Sequence, residues 1–434
     1  MTEPLSTDAS RKRVWGLNPN VFFLGIVSLL TDVSSEMIFT LVPLFLSNVL
    51  KAGGPIIGLV GGLSEGADAI FRIFSGWLSD KIGKRKLLAV LGYSISTVAK
   101  PFLYLANVWG VVLAVRFTDR VGKGVRTPSR DALIADSVSP EERGRGFGLH
   151  RAMDTTGAFL GLVIAAIIVY LVQGAGTIQI SPRSFQWLVL FGVIPAVLAV
   201  LVLLISVREK RLERSPGDSP QPGLSLSALR TGFDARFKIF LVVMAVFTLG
   251  NSSDFFVILR AQNLEAPLVQ IVMMLVLHNA TYAVTSLPMG MLSDRLGRRR
   301  IITLGWFIYA LVYLGFAVSS SIWHVWLLFA CYGIYYGVVE GVARAFVADL
   351  VTEEKRGTAY GLYHGVVGIT LVAASLIAGW LWEAGPAAPF YFGAGLAFIA
   401  MIGIMTLIKE YAELMPTPYR LDCRPLCFAP VVHG

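Results

Sequence analysis

Apolar runs of about twenty residues recur along this chain from about Phe22 to about Leu407, with short polar breaks between them. Lipid hydrocarbon is crossed by about 20 apolar residues in helical form, so each run predicts a membrane-spanning helix. The breaks place about twelve spans, at 20–48, 56–79, 87–106, 109–134, 146–172, 185–207, 238–261, 267–292, 301–320, 323–349, 358–383 and 388–409. Between the sixth and seventh, the string RSPGDSPQPG is too rich in Pro, Gly, Ser and charge to enter lipid. It predicts a linker over 208–237 between two six-helix bundles, 16–207 and 238–410. A short tail, 1–15, precedes them, and a proline-rich aperiodic tail, 411–434, is expected to be poorly ordered.

Composition agrees with this pattern. A chain of 434 residues that is 55% hydrophobic and 15% charged has more apolar surface than one or two soluble cores could hide. The net charge of +9 would raise the question of nucleic acid in a soluble protein, but here the placement of the charges matters more than their sum. With the N-terminus inside, Arg11 to Arg13, Lys81 to Lys86, Arg143, Arg145, Arg208 to Arg214, Arg295 to Arg300, Lys355 and Arg356 fall on the cytoplasmic side. The opposite loops hold little beyond Lys51, Arg183 and Arg260. The positive-inside rule then predicts cytoplasmic N- and C-termini in a multi-pass plasma (inner) membrane protein, with no nucleic-acid partner. The first apolar run passes straight into the repeating pattern without a small-residue cleavage site, so it reads as a first span and not a leader. Three cysteines, of which only Cys331 lies in a predicted span, make no disulfide framework.

The two halves repeat. Gly76-Trp-Leu-Ser-Asp80-Lys-Ile-Gly83-Lys84-Arg85-Lys86 returns as Gly290-Met-Leu-Ser-Asp294-Arg-Leu-Gly297-Arg298-Arg299-Arg300. Ala135-Asp136 through Arg143-Gly144 returns as Ala348-Asp349 through Arg356-Gly357, and Ser34-Ser35-Glu36 as Ser252-Ser253-Asp254. Three matches in one order indicate duplication of a six-helix unit.

The first pair of strings resembles the G-x-L-x-D-x-x-G-R/K-R/K loop motif of the major facilitator superfamily, in its place after the second and eighth spans. The resemblance covers nearly the whole chain. It implies an all-α integral membrane fold with twelve transmembrane helices in two pseudo-symmetric bundles, which rock about a cavity lined by the first, fourth, seventh and tenth helices. As a gate, the motif would use Gly76 for close helix approach, Asp80 as acceptor at a neighbouring helix start, and its basic cluster to hold the loop cytoplasmic. Drug–proton antiporters of that family carry a G-x-x-x-G-P motif on the fifth helix; here Gly157 and Gly161 match, but Leu162 replaces the proline. On the fourth helix Arg116 matches their Arg-x-x-Gln-Gly run, whereas Asp119 and Arg120 do not.

Ionisable groups inside the membrane cost about 2.5–3.5 kcal/mol each on the insertion scale, so they mark cavities or partners. Asp32 and Glu36 stand one turn apart on the first helix, and Glu36 recurs as Asp254 while Asp32 becomes Gly250. Asp32, Glu36 and Asp254 are the candidates for proton coupling, because a carboxylate exposed to alternating environments can take up and release a proton. Serine hydroxyls and basic neighbours that fix them permanently are the competing account. Glu65, Asp68 and Arg72 share one face of the second helix, with Asp68 and Arg72 spaced for an intramembrane ion pair.

The fourth helix carries Arg116, Arg120, Lys123, Arg126 and Arg130 at three- and four-residue steps. Such a stripe faces a cavity or is neutralised by carboxylates of neighbouring helices. Snorkelling toward the cytoplasmic end accounts for Arg126 and Arg130. The tenth helix answers with Tyr332, Tyr335, Tyr336, Glu340 and Arg344. Arg116, Arg120, Lys123, Tyr332, Tyr336 and Glu340 are therefore the candidate substrate contacts, in a cavity suited to an organic anion or zwitterion with a planar or apolar body.

His150 and His278 read as structural histidines, and no metal-ligand spacing, phosphate loop or nucleophile constellation occurs. The expectation is a secondary active transporter and not an enzyme, with no cofactor and no metal. Its partners are a small-molecule substrate, protons and the lipid bilayer, with no obligate protein partner. Proton-coupled efflux is the leading reading and proton-coupled uptake of an organic anion the second. A receptor or scaffold would need a long soluble domain or signalling tail.

Overall fold

The computed structural model describes residues 18–82, 84–139, 142–209, 233–352 and 355–408. Both predicted tails, nearly all of the linker and Gly83 lie outside the described residues, as does the side chain of Asp80. All regular elements among the described residues are helices. The first half comprises α1 (Pro19–Phe39), α2 (Val42–Asn48), α3 (Gly54–Ile82), α4 (Arg85–Ala99) prolonged by a 3₁₀ turn (Lys100–Leu105), α5 (Trp109–Asp136), α6 (Arg143–Gln173) and α7 (Pro182–Ser206). The second comprises α8 (Ala235–Gly250), α9 (Phe255–Asn263), α10 (Leu268–Leu296), α11 (Arg298–Val318), α12 (Ile322–Asp349), α13 (Arg356–Ala384) and α14 (Ala388–Leu407).

Among the described residues, ten helical segments are long and apolar enough to cross a membrane. Helices α3 and α5 match them in length, at 29 and 28 residues, or about 43 Å of helix. Their charges set them apart: α3 carries Glu65, Asp68 and Arg72, and α5 the basic stripe.

Three expected spans are interrupted. The first breaks at Thr40 and Leu41, ahead of Pro43. The third turns into 3₁₀ at Lys100, ahead of Pro101. The seventh unwinds over 251–254, where Asn, Ser and Ser follow Gly250 and offer poor helix propensity. Unwound backbone inside a membrane needs its polar groups answered by protein. Tyr309 donates its hydroxyl to the Gly250 carbonyl at 3.0 Å, and the Ser253 amide donates to Ser375 Oγ at 3.1 Å. Arg260, read from sequence as a loop charge, sits in α9 instead. It donates to the carbonyls of Phe316, Ala317 and Ser319 at 2.9–3.2 Å, closing the end of α11.

Each hinge motif is tied to the second repeated motif of its own half. Arg85 pairs with Asp136, and Arg298 Nε pairs with Asp349 at 2.5 Å while its Nη2 lies 3.4 Å from Asp294. Gly297, between α10 and α11, has φ +93°, a conformation that L side chains rarely adopt. Gly76 and Gly290 differ from expectation. A methyl on Gly76 would meet only Pro128 Cβ of its own half, at 3.8 Å, and one on Gly290 would meet nothing within 4 Å. Neither is a point of close helix approach in this structure.

The halves meet at the end opposite these motifs. Gly54, Gly58, Gly62 and Gly66 recur every fourth residue on α3 and lie against Gly368, Val372, Ser375 and Gly379 on α13. A methyl on Gly54 or Gly58 would collide with the carbonyl of Gly379 or Ser375, and one on Gly62 would lie 2.7 Å from Ser375 Cβ. Small residues that let backbones approach are the usual basis of helix association in lipid. Polar ties close the same end. Asn48 and Gln262 exchange amide hydrogen bonds of 2.9 and 2.8 Å, Glu383 accepts from the Gly54 amide at 2.6 Å, and the Leu268 amide donates to the Thr177 carbonyl at 2.8 Å. One apolar core runs through both halves here, whereas Val21, Leu24, Tyr93, Leu133 and Leu203 form a separate cluster nearer the hinge end of the first half.

Bulk on the glycine stripe should therefore part the halves at this end. With spin labels on the exposed Lys51 and Glu265 positions, Gly58→Val should lengthen the interlabel distance by several ångströms. Gly395→Val, where a side chain meets open space, should leave it unchanged.

Candidate functional site

Between the halves, beneath the closed end, lies a chamber of about 360 Å³. Its first-half wall is built by α1 and α5, with Glu65 of α3; α5 carries the basic stripe. Glycines bring this helix close to its neighbours: Gly122 and Gly92 pack α5 on α4, where a methyl on either would lie 2.6 Å from the other's carbonyl, and Gly124 packs it on α3 at Phe71. The Gly122-Lys123-Gly124 string thus has a packing role. The second-half wall comes from the unwound 251–254 segment and from α10 and α12.

The basic stripe is divided among different partners. Arg120 Nη2 lies 2.8 Å from Glu65 and Arg116 Nη2 3.4 Å from the same carboxylate oxygen. The Arg116 guanidinium also sits over the Phe39 and Phe255 rings, at 4.7 and 5.4 Å, one ring from each half. Arg126 does not snorkel. It is 4% exposed, donates to Ser96 Oγ at 2.8 Å and lies over the Tyr93 ring at 4.7 Å. Arg130 pairs with the adjacent Asp131 at 2.9 Å. Lys123 lines the chamber with no ion pair and no donated hydrogen bond among the described residues. On α3, Arg72 and Asp68 form the expected pair at 2.6 Å, so Glu65 faces the stripe while Asp68 is spent within its own helix.

The three candidate coupling carboxylates occupy different surroundings. Glu36 accepts from Thr40 of its own segment at 2.8 Å. Asp254 accepts from the hydroxyl of Tyr332 at 2.7 Å and of Tyr336 at 3.3 Å. Asp32 lies against Asp154 of α6, close enough for one carboxyl to hydrogen-bond the other. Ser28 donates to Asp154 at 2.6 Å and Arg151 lies 3.4 Å from it.

Glu340 is displaced from its expected role. The step that puts it on one face with Tyr332 and Tyr336 also carries it toward the hinge end, away from the chamber lining. There it accepts from Tyr282 at 2.5 Å and pairs with Arg344 at 3.0 Å. Arg151 of the first half donates to the same Tyr282 hydroxyl at 2.5 Å. This bridge crosses a mostly apolar cleft of about 920 Å³ between α6, α10 and α12, and Asn279 lines both the cleft and the chamber.

Sequence reasoning missed two buried groups. Lys100 is fully buried, donates to Ser34 Oγ at 2.7 Å and Ser35 Oγ at 3.1 Å, and lies over Phe39. It ties the two serines of the first repeat to the third span, and Ser35 lines the chamber. A lysine before a proline within an otherwise apolar run was the available signal. Asp154 is the second, and its place within the apolar run of α6 is the signal that marks it as an intramembrane charge.

Removing Glu65 should leave two guanidiniums without their carboxylate. Glu65→Gln is expected to destabilise by roughly 2 kcal/mol, and the loss should shrink in an Arg120→Gln background. A double-mutant cycle on thermal midpoints of the purified protein measures this, and additive losses would deny the coupling.

The sequence profile of the Major Facilitator Superfamily matches residues 24–264 and 239–420. An uncharacterised MFS-type transporter of Methanocaldococcus jannaschii is 39% identical over 394 residues, spanning 88% of this chain and 94% of that protein. Among solved structures, a variant of the nucleoside transporter NupG superposes with a TM-score of 0.76 at 14% identity, over 90% of this chain and 100% of that one. A bacterial homologue of the human lysosomal transporter Spinster, in an inward-facing unoccupied conformation, gives 0.68 at 16% identity, over 89% and 93%.

Proposed function

The chain belongs to the Major Facilitator Superfamily, and from that premise we propose that it carries a small organic solute across the plasma membrane by alternating access, coupled to protons. The observation that carries this reading is the charged chamber between the halves, sealed at one end by the α3–α13 stripe and its polar ties. At the other end, hinge motifs are tied within each half and the Arg151–Tyr282 hydrogen bond links the halves across the apolar cleft, so the halves can change their contacts there as units by parting that bond. With that basic end in the cytoplasm, the structure is inward-facing, and both termini are cytoplasmic. A nucleoside transporter among the structural neighbours is in keeping with an organic solute of this size.

The proton is assigned to Asp32 and Asp154, two carboxyls set against each other across the α1–α6 contact. Their position ties them to the helices that must move: Gly157 and Gly161 of α6 lie directly on Leu29 and Val33 of α1, the two residues that bracket Asp32's turn. Change in the α1–α6 contact alters the distance between the carboxyls and so their hold on the proton. This glycine pair matches only part of the antiporter pattern, since Leu162 stands where that pattern has proline; export in exchange for protons is the first reading. Uptake with protons is the second reading, favoured by the free ammonium of Lys123 on the chamber wall.

Proteoliposomes bearing an imposed pH gradient and a panel of labelled nucleosides, organic anions, cations and zwitterions test coupling and direction together. Accumulation should depend on the gradient and vanish with a protonophore. Asp32→Asn should retain solute exchange at equilibrium while losing gradient-driven accumulation by at least tenfold. Undiminished accumulation in Asp32→Asn and in Asp154→Asn would remove the pair from coupling, and accumulation indifferent to the gradient would remove protons altogether.

A further inference from the structure

Lys123 on the first-half wall and Asp254 on the second face the chamber without an ion pair among the described residues; Asp32, Glu36 and Asp119 make none either, but they share the first-half wall with its cations. Lys123 is left over on α5 because Glu65, the carboxylate nearest the stripe, is held by Arg116 and Arg120. Asp254 is met only by the hydroxyls of Tyr332 and Tyr336, and no described cation lies within ion-pair distance of it. Those hydroxyls solvate the carboxylate without neutralising it.

The surroundings of the two groups also differ. Beside Asp254 stand the rings of Tyr332, Tyr336 and His278, with centroids 5.1–5.4 Å apart. Aromatic faces next to a carboxylate attract an organic cation. Lys123 has no ring within cation–π contact among the described residues and presents a bare ammonium, a partner for a carboxylate or phosphate.

Charge count separates the possible solutes. The first-half lining holds four cations, Arg116, Arg120, Lys123 and Arg126, and four carboxylates, Asp32, Glu36, Glu65 and Asp119; the second half adds the single carboxylate Asp254. A pure anion would leave Asp254 unmet. A pure cation would satisfy Asp254 but leave Lys123 unmet. Only a solute with both poles answers both walls.

Resting on the carrier reading above, we propose that the substrate is a small zwitterion with an aromatic or apolar body, its ammonium end at Asp254 among the tyrosines and its anionic end at Lys123. Binding then links α5 of one half to the unwound segment of the other through the solute itself. An occupied chamber ties its walls together; a singly charged compound ties neither pole across.

Matched probes on one body test this with the full chain in nanodiscs. Tryptophan, tryptamine and indole-3-propionate supply zwitterion, cation and anion, and phenylalanine, phenethylamine and 3-phenylpropionate repeat the set on a second body. In each set the zwitterion should bind at least tenfold more tightly than either singly charged analogue. Lys123→Met should erase the advantage over the cation, Lys123→Arg should keep it, and Asp254→Asn should erase the advantage over the anion. Unliganded thermal midpoints check that each variant is folded. The proposal is overturned if a singly charged analogue matches its zwitterion, if both substitutions weaken all three probes equally, or if neither zwitterion binds. Each of those results concerns affinity alone and leaves the carrier reading to gradient-driven accumulation in proteoliposomes.

Discussion

Everything in this structure depends on how closely α3 can lie against α13. Lipid tails are as apolar as leucine, so two helix bundles in a membrane gain little from burying apolar side chains against each other. What holds them is backbone proximity and a few polar ties. Four glycines at four-residue spacing give α3 a groove with no side chains, and α13 fills it with Gly368, Ser375 and Gly379. The contact is extensive but contains little that could not be undone. Among the described residues it has no buried ion pair across it, and the flanking ties, a reciprocal amide pair between Asn48 and Gln262 and one bond from Gly54 to Glu383, are of the kind that water replaces at small net cost. A closed end of this construction is tight while closed and inexpensive to part.

Above the chamber the seam excludes water; within the chamber, charge must be managed without it. The first half does so by local accounting: Glu65 serves two arginines, Asp68 serves Arg72, Arg126 leans on a ring and a serine, and Lys100 is held by two hydroxyls. Only where the chamber opens are charges left unanswered. An unpaired charge deep in lipid would be prohibitive, but one that faces a polar cavity is tolerable and available to a solute. The contrast between the fully engaged Glu65 and the unengaged Lys123, one turn of helix beyond Arg120, separates scaffold from site within a single stripe.

Much of this was legible in the sequence, and the rest was hidden for identifiable reasons. Apolar run length reports the solvent directly, so the spans emerge from composition. Duplication shows as repeated motifs, and the structure adds why two of them travel together: Arg85 with Asp136 and Arg298 with Asp349 join the hinge to the end of the fourth span in each half. The Asp68–Arg72 pair follows from helical spacing alone. Partners on different helices do not follow, because spacing within a helix says nothing of what faces it. Asp32 was grouped with Glu36 by the i,i+4 rule, yet its partner is Asp154, 122 residues away in sequence. Glu340 was grouped with the chamber tyrosines by the same rule, which fixes a face but not a depth. The glycine stripe was on the page as a four-residue period, but glycine carries no hydropathy signal, and its meaning depends on a helix more than 300 residues further along.

The two halves share their ends and differ in their middles, and the difference has a structural origin. Glu36 and Asp254 occupy matching positions, but α1 stays helical through Glu36 and breaks only at Thr40, whereas the seventh span unwinds before Asp254 is reached. An intact helix holds Glu36 in register with Asp32 and with the serines that Lys100 grips. The unwound segment frees Asp254 from any such register, and its position is set by Tyr332 and Tyr336 of α12 and, through Ser253, by α13 and Gly61 of α3. Asp254 therefore reports on the same α3–α13 contact that seals the chamber. Parting that contact must move Ser253, and with it the carboxylate. A solute held at Asp254 is thus mechanically joined to the seal above it from the second half, as Glu65 of α3 is from the first. That connection, more than the charge itself, is what makes the unwound segment a place where occupancy and opening can influence each other.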